Sequence, residues 1–151
     1  MNPFVYDMTL IMCVDPNNGY LFNERRQSRD QAVLRRILSM PFRVLKMEYR
    51  SYNMLDSYAH ICRQKPRAKR MTMHPGAMLM SAEDAYFNEF QDPSDMLQAA
   101  SRVILFRWDK TYPADRHLPD LKASPDWRLV SVETFKGFSH EEIQEETYEK
   151  V

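Results

Sequence analysis

An apolar run of strand length, Met8-Thr-Leu-Ile-Met-Cys-Val14, passes directly into Asp15-Pro-Asn-Asn-Gly19, and these twelve positions constrain the fold more than any others. Both faces of such a run are apolar, which places the strand centrally in a sheet covered on two sides. The Asn-Gly pair supplies left-handed backbone geometry at no steric cost, so the chain turns there. Beyond an Arg-rich loop, Ser28 is a helix N-cap candidate and Asp30 falls in the first helical turn. Val33, Leu34, Ile37 and Leu38 recur at helical spacing, with Arg29, Arg35 and Arg36 facing away. The helix stops by Pro41, because the residue before a proline avoids the α region.

The remainder alternates in the same way. Phe42–Met47 reads as a second strand, and Tyr52, Leu55, Tyr58, Ala59 and Cys62 mark a helix that ends in the basic connector Arg63–Arg70. Met71–Met73 and Ala77–Met80, split by His74-Pro-Gly76, read as short strands or loop, and Ala85–Phe90 as a further strand. Asp92-Pro-Ser-Asp95 opens a helix through Met96, Leu97 and Ala100. Val103–Trp108 is the strongest late strand, and Trp127–Val132 a half-exposed one. The ending from Glu142 to Lys150 fits either a helix or an antiparallel edge strand. Strands alternating with helices before an antiparallel pair give an α/β fold, a mostly parallel sheet with antiparallel strands at one edge. With no repeat, low-complexity tract or linker, residues 1–151 are expected to form one domain.

Composition narrows the function classes. The formal net charge is +0, so electrostatic binding has to come from local clusters. No apolar run reaches the ~18 residues of a membrane span and the N-terminus lacks a signal-peptide pattern, so a cytoplasmic protein without a membrane partner is expected. Cys13 and Cys62 fit reduced, buried positions, and Tyr49, Tyr52, Tyr58, Tyr86 and Trp108 fit the core or a sheet face. His60, His74, His117 and His140 are scattered without ligand spacing, so no metal site is expected.

Two regions resemble dihydrofolate reductase. At the front are the strand running into Val14–Gly19, a loop, and Asp30 just inside the next helix. At the back are Arg102–Asp109, Asp115-Arg-His-Leu-Pro-Asp120, Asp126-Trp127 and Tyr148–Lys150. The resemblance covers about half the chain and implies a dihydrofolate-reductase-like three-layer sandwich, a central twisted sheet of about eight strands flanked by four helices. It also implies a ligand cleft in which Asp30 takes the place of the catalytic carboxylate.

The sequence departs from that family where the family binds NADPH. Gly19 matches the first loop glycine, but Leu21 replaces the second. Met47–Tyr52 keeps Arg50 and Ser51 without the family's glycine, and Phe106 replaces a threonine. Glu89-Phe-Gln-Asp-Pro-Ser-Asp95 stands where a glycine run brings backbone N–H groups to the pyrophosphate. Asp92 and Asp95 would cap that helix and set carboxylates against the phosphates, and like charges ~4 Å apart cost about 4 kcal/mol at an effective dielectric of 20.

The leading expectation is therefore a divergent member without an NADPH site. It would bind a small anionic ligand, nucleotide- or pterin-like, in a cleft formed by Asp15, Asn18, Gly19, Arg26, Arg29 and Asp30, with Arg50, Arg67 and Arg70 as further anion contacts. Asp30 is either a proton donor or a first-turn acid favoured by the helix dipole. Arg25–Arg29 is either an anion-binding fork or a solvated surface. Two alternatives stand beside this. One is an NADPH-dependent reductase with a rearranged loop, in which Asp30 protonates the substrate and Arg67 or Arg70 holds its carboxylate. The other is RNA or nucleotide processing through Arg25, Arg26, Lys69 and Arg70.

Overall fold

A computed structural model describes residues 7–72 and 81–151. The strand or loop reading at Met73 and at His74–Met80 lies outside them. The main sheet has seven strands in the order β5-β4-β6-β1-β7-β10-β9. In chain order these are β1 (Met8–Val14), β4 (Val44–Met47), β5 (Lys69–Thr72), β6 (Asp84–Phe87), β7 (Ala100–Arg107), β9 (Trp127–Phe135) and β10 (Ile143–Lys150). Strands β5, β4, β6, β1 and β7 are mutually parallel, whereas β10 runs antiparallel to both β7 and β9. A small second sheet holds β2 (Gly19–Phe22), β3 (Arg25–Arg26) and β8 (Arg116–His117). Three helices occur among the described residues, α1 (Gln31–Ser39), α2 (Tyr49–Cys62) and α3 (Ser94–Ala99), where the resemblance implied four.

The central position expected for β1 is the one it occupies, between β6 and β7. Its period-2 alternation feeds two cores. Leu10, Met12 and Val14 pack with Tyr86, Val103 and Leu105 on one face, while Ile11 packs on the other with Val33 and Ile37 of α1 and Leu55 of α2. The stripe of α1 is buried as its spacing predicts. That of α2 ends at Ala59, so Cys62 is exposed rather than buried, and Tyr49, at the first helical position, is exposed too.

Three other expectations change. The cap of α1 is Asp30, not Ser28: its backbone is extended and its carboxylate accepts from the Ala32 N–H at 2.8 Å. The Arg-rich loop begins as a hairpin, because Asn23 and Glu24 both take positive φ (51° and 60°), the geometry that lets two residues join twisted strands. The N-cap of α3 is Pro93, with Asp92 one residue earlier accepting from the Ser94 N–H at 2.9 Å and Asp95 in the first turn.

The ending is a strand, and it lies inside the sheet rather than at its edge. Its polar sequence hides the pattern, since Glu146 is as buried as Tyr148. Arg107 donates to Glu146 through Nε at 3.0 Å and Nη2 at 2.9 Å, and Tyr148 Oη donates at 2.8 Å. Arg107 Nη1 also donates to the Asp15 carbonyl at 2.8 Å and to Asn18 Oδ1 at 3.0 Å, so one guanidinium ties β10 to the front turn. The true edge is β9, whose Leu129, Val130 and Val132 are exposed and whose register against β10 shifts opposite Thr147/Tyr148.

Removing the charge from Glu146 leaves Arg107 buried without its counter-ion. Glu146→Gln is expected to lower unfolding stability by about 3 kcal/mol or more, measured by urea denaturation at neutral pH.

Candidate functional site

The chain has a groove of about 610 Å³ between α1 and α2, a volume suited to a drug-sized molecule. Leu34 of α1 and Met54, Tyr58 and Ile61 of α2 form its apolar walls. Arg26, Arg29 and Arg50 line it as well, and Phe138 and Ser139 reach it from the turn between β9 and β10. The Tyr58 hydroxyl is buried behind that wall and has no hydrogen-bond partner among the described residues.

Of the residues expected from the sequence, Arg26, Arg29, Asp30 and Arg50 meet in this groove. Asp15, Asn18 and Gly19 do not line it, because they build the turn instead. Asp15 Oδ1 accepts from the N–H groups of Asn17 (2.8 Å) and Gly19 (2.9 Å), and Oδ2 from Gln27 Nε2 (3.0 Å) and the Tyr112 N–H (3.3 Å). Asn18, not Gly19, takes the left-handed conformation, with φ 66°. Gly19 is needed for close approach, since a Cβ there would stand 2.6 Å from Ala114 Cβ. Arg67 and Arg70 also lie outside the groove. Arg67 is exposed; Arg70 donates to Asp56 at 3.0 Å and stacks over Tyr52. The front loop and the connector Lys65–Arg70 thus do not share this groove.

Asp30 is buried, and a cage of donors surrounds its carboxylate. Oδ1 accepts from the Phe138 N–H at 2.9 Å and from Ala32. Oδ2 accepts from the Ser139 N–H at 2.8 Å, the Ser139 hydroxyl at 3.1 Å and the His140 N–H at 3.2 Å, and His140 Nδ1 lies 3.0 Å away. Burial works against the charge, but the hydrogen bonds from Phe138, His140, Ser139 and Ala32 outweigh it and hold the carboxyl down to about 2. Such a group is an ionised acceptor at neutral pH. Gly137 makes the close contact possible, because a Cβ at that position would come within 2.5 Å of Asp30 Oδ2.

A second polar cluster is centred on Glu89. Arg26 donates to Glu89 through Nε at 2.9 Å and Nη2 at 3.0 Å, and the Ser51 hydroxyl donates to Glu89 at 2.7 Å. Arg50 is paired with Glu48 and lies 3.9 Å above the Phe90 ring. The cavity beside Glu89, lined also by Cys13, Ser28 and Trp108, has about 10 Å³ of space, room for one water. A buried carboxylate thus holds the nearby guanidinium, and Asp92 adds another acid on the same segment.

His140 is the residue that sequence reasoning missed. Its ring stacks on Trp108 at 4.5 Å, and its Nε2 lies 2.8 Å from Tyr112 Oη and 3.2 Å from Ser28 Oγ. It stands 110 positions from Asp30, beyond the reach of any local period. The only sequence signal was Gly137 three residues before it in a polar turn. Among the described residues no cluster of His, Cys, Asp or Glu could hold a metal ion.

Because the folded Asp30 carboxyl lies below its ordinary value of 3.8, its contribution to stability is fully present above that pH and is lost as pH falls towards 2. The stability difference between the native chain and Asp30→Asn is expected to shrink by about 2 kcal/mol over that interval, in urea titrations at a series of pH values. A difference that stays constant down to pH 2 would show that the carboxylate charge is not its source.

No family model and no curated protein matches the sequence. Among solved structures, the chain is similar to dihydrofolate reductase from Enterococcus faecalis complexed with NADP(H) and RAB-propyl. The TM-score is 0.62 at 12% identity, over 96% of this chain and 98% of that one. Likeness at that identity concerns architecture alone: the chain has a dihydrofolate-reductase-like fold.

Proposed function

We propose that this protein binds a small ligand with an apolar body and an anionic group in the groove between α1 and α2, without a redox coenzyme. A nucleotide- or pterin-like compound fits that description. The observation that carries the reading is the groove itself, which brings Arg26, Arg29 and Arg50 to walls formed by Leu34, Met54, Tyr58 and Ile61. Arg26 and Arg50 are each engaged by one carboxylate, whereas Arg29 is exposed and has no carboxylate partner among the described residues. A ligand anion would meet Arg29 first, and the bond would be exposed and sensitive to salt.

Two features weigh against hydride transfer from NADPH. Glu89, in the segment that the resemblance sets against a pyrophosphate-binding glycine run, is already engaged by Arg26 and Ser51. Asp30 is held as an anion, the opposite of what a proton donor requires.

Calorimetric titration with NADPH, folate and a nucleoside monophosphate tests the proposal. At least one of the latter two is expected to bind, and Arg29→Ala to weaken it about five-fold. Micromolar binding of NADPH would overturn the reading, as would silence from all three compounds.

A further inference from the structure

We propose that Ser28, His140 and Asp30 form a nucleophilic relay, and that the chain transfers a short acyl group from an activated ester through Ser28. The order of contacts is that of a hydroxyl nucleophile, an imidazole base and an orienting carboxylate. Ser28 Oγ lies 3.2 Å from His140 Nε2, and His140 Nδ1 lies 3.0 Å from Asp30 Oδ2. The tautomer follows from the partners. An ionised carboxylate only accepts, so Nδ1 carries the proton and donates to Asp30, which leaves Nε2 with a bare lone pair. Stacking on Trp108 and burial fix the ring plane.

The relay is held in a resting arrangement by a competitor. Tyr112 Oη lies 2.8 Å from the same Nε2, nearer than Ser28, and one lone pair cannot fully serve two hydroxyls. Ser28 is partly exposed and also borders the cavity of about 10 Å³, which Arg26 lines with it. Arg26 bonds Glu89 through Nε and Nη2, which leaves Nη1 outside that pair on a residue that lines the same cavity as Ser28. The cavity has room for one water, so at most the carbonyl oxygen enters it, while the acyl substituent and the leaving group stay on the exposed side of Ser28.

In the first step Ser28 Oγ bonds to the carbonyl carbon and its proton passes to His140 Nε2. The ester C–O bond then breaks, and the departing alcohol takes that proton. Water, deprotonated by His140, releases the acyl group as a carboxylic acid and restores Ser28. Asp30 acts through His140 and is a positioning residue.

The experiment is a stopped-flow burst with p-nitrophenyl acetate on the full chain, followed by peptide mass analysis. A burst with the acetyl group on the peptide bearing Ser28 is expected, with no burst for Ser28→Ala. Acylation by His140→Gln is expected to be slower by about 10²-fold. Asp30→Asn is expected to lower the rate while the burst amplitude, which counts folded competent molecules, is retained. Tyr112→Phe frees Nε2 and is expected to accelerate acylation. Acetylation confined to lysines, a burst that survives Ser28→Ala, no burst in either the native chain or Tyr112→Phe, or a Tyr112→Phe rate at or below native would each overturn the proposal. None of these readouts depends on the groove ligand, so the two proposals fail separately.

Discussion

The Asp30 carboxylate is the contact on which the architecture around the groove depends. It caps α1 through Ala32 and, at the same time, accepts from three successive backbone N–H groups, those of Phe138, Ser139 and His140. The start of the first helix and the turn between the last two strands are therefore joined at one charge. Because Phe138 and Ser139 also line the groove, whatever loosens that charge changes the shape of the binding wall. A buried carboxylate with this many donors is stable only as the anion, so the same contact fixes both geometry and electrostatics.

Electrostatic self-sufficiency extends over the rest of the cleft end of the sheet. Arg107 neutralises Glu146 while bracing the front turn, Arg26 neutralises Glu89, and Arg50 neutralises Glu48. Of these pairs Arg107–Glu146 is the most enclosed, and there losing one partner is costly, whereas the Arg50 end of its pair is exposed and screened. The balanced net charge of the chain thus conceals a division of labour. Most guanidiniums near the cleft hold the protein's own acids, and Arg29 is left facing solvent at the groove.

How much of this was legible in the sequence depended on whether the interaction was local. β1, the buried stripe of α1, and β7 follow from runs and spacings that a single segment contains, and the order of elements carried the sheet architecture. The polar ending resisted because Glu146 reads as a surface residue until Arg107, thirty-nine positions away, is known to face it. The cap of α1 was misplaced by two residues for a related reason. Ser28 and Asp30 are equally good local candidates, and the tie is broken by the distant turn at residues 137–140. Of the residues singled out in the sequence, Arg26, Arg29, Asp30 and Arg50 line one groove. Asp15 closes its own turn and Asn18 accepts from the distant Arg107, contacts that have the same local composition as ligand contacts.

The register shift in β9 has a bearing on what the exposed edge of the sheet offers to another strand. A flat, uncharged outer strand carrying Leu129, Val130 and Val132 would offer a ready ladder to another chain. The irregularity opposite Thr147 and Tyr148 interrupts that ladder at its middle, and Arg128 and Glu133 flank it with charges already turned to Glu149 and Arg36 of the same molecule. The consequence is an open margin whose donors and acceptors are not evenly spaced, the geometry that makes a strand edge a poorer template for pairing.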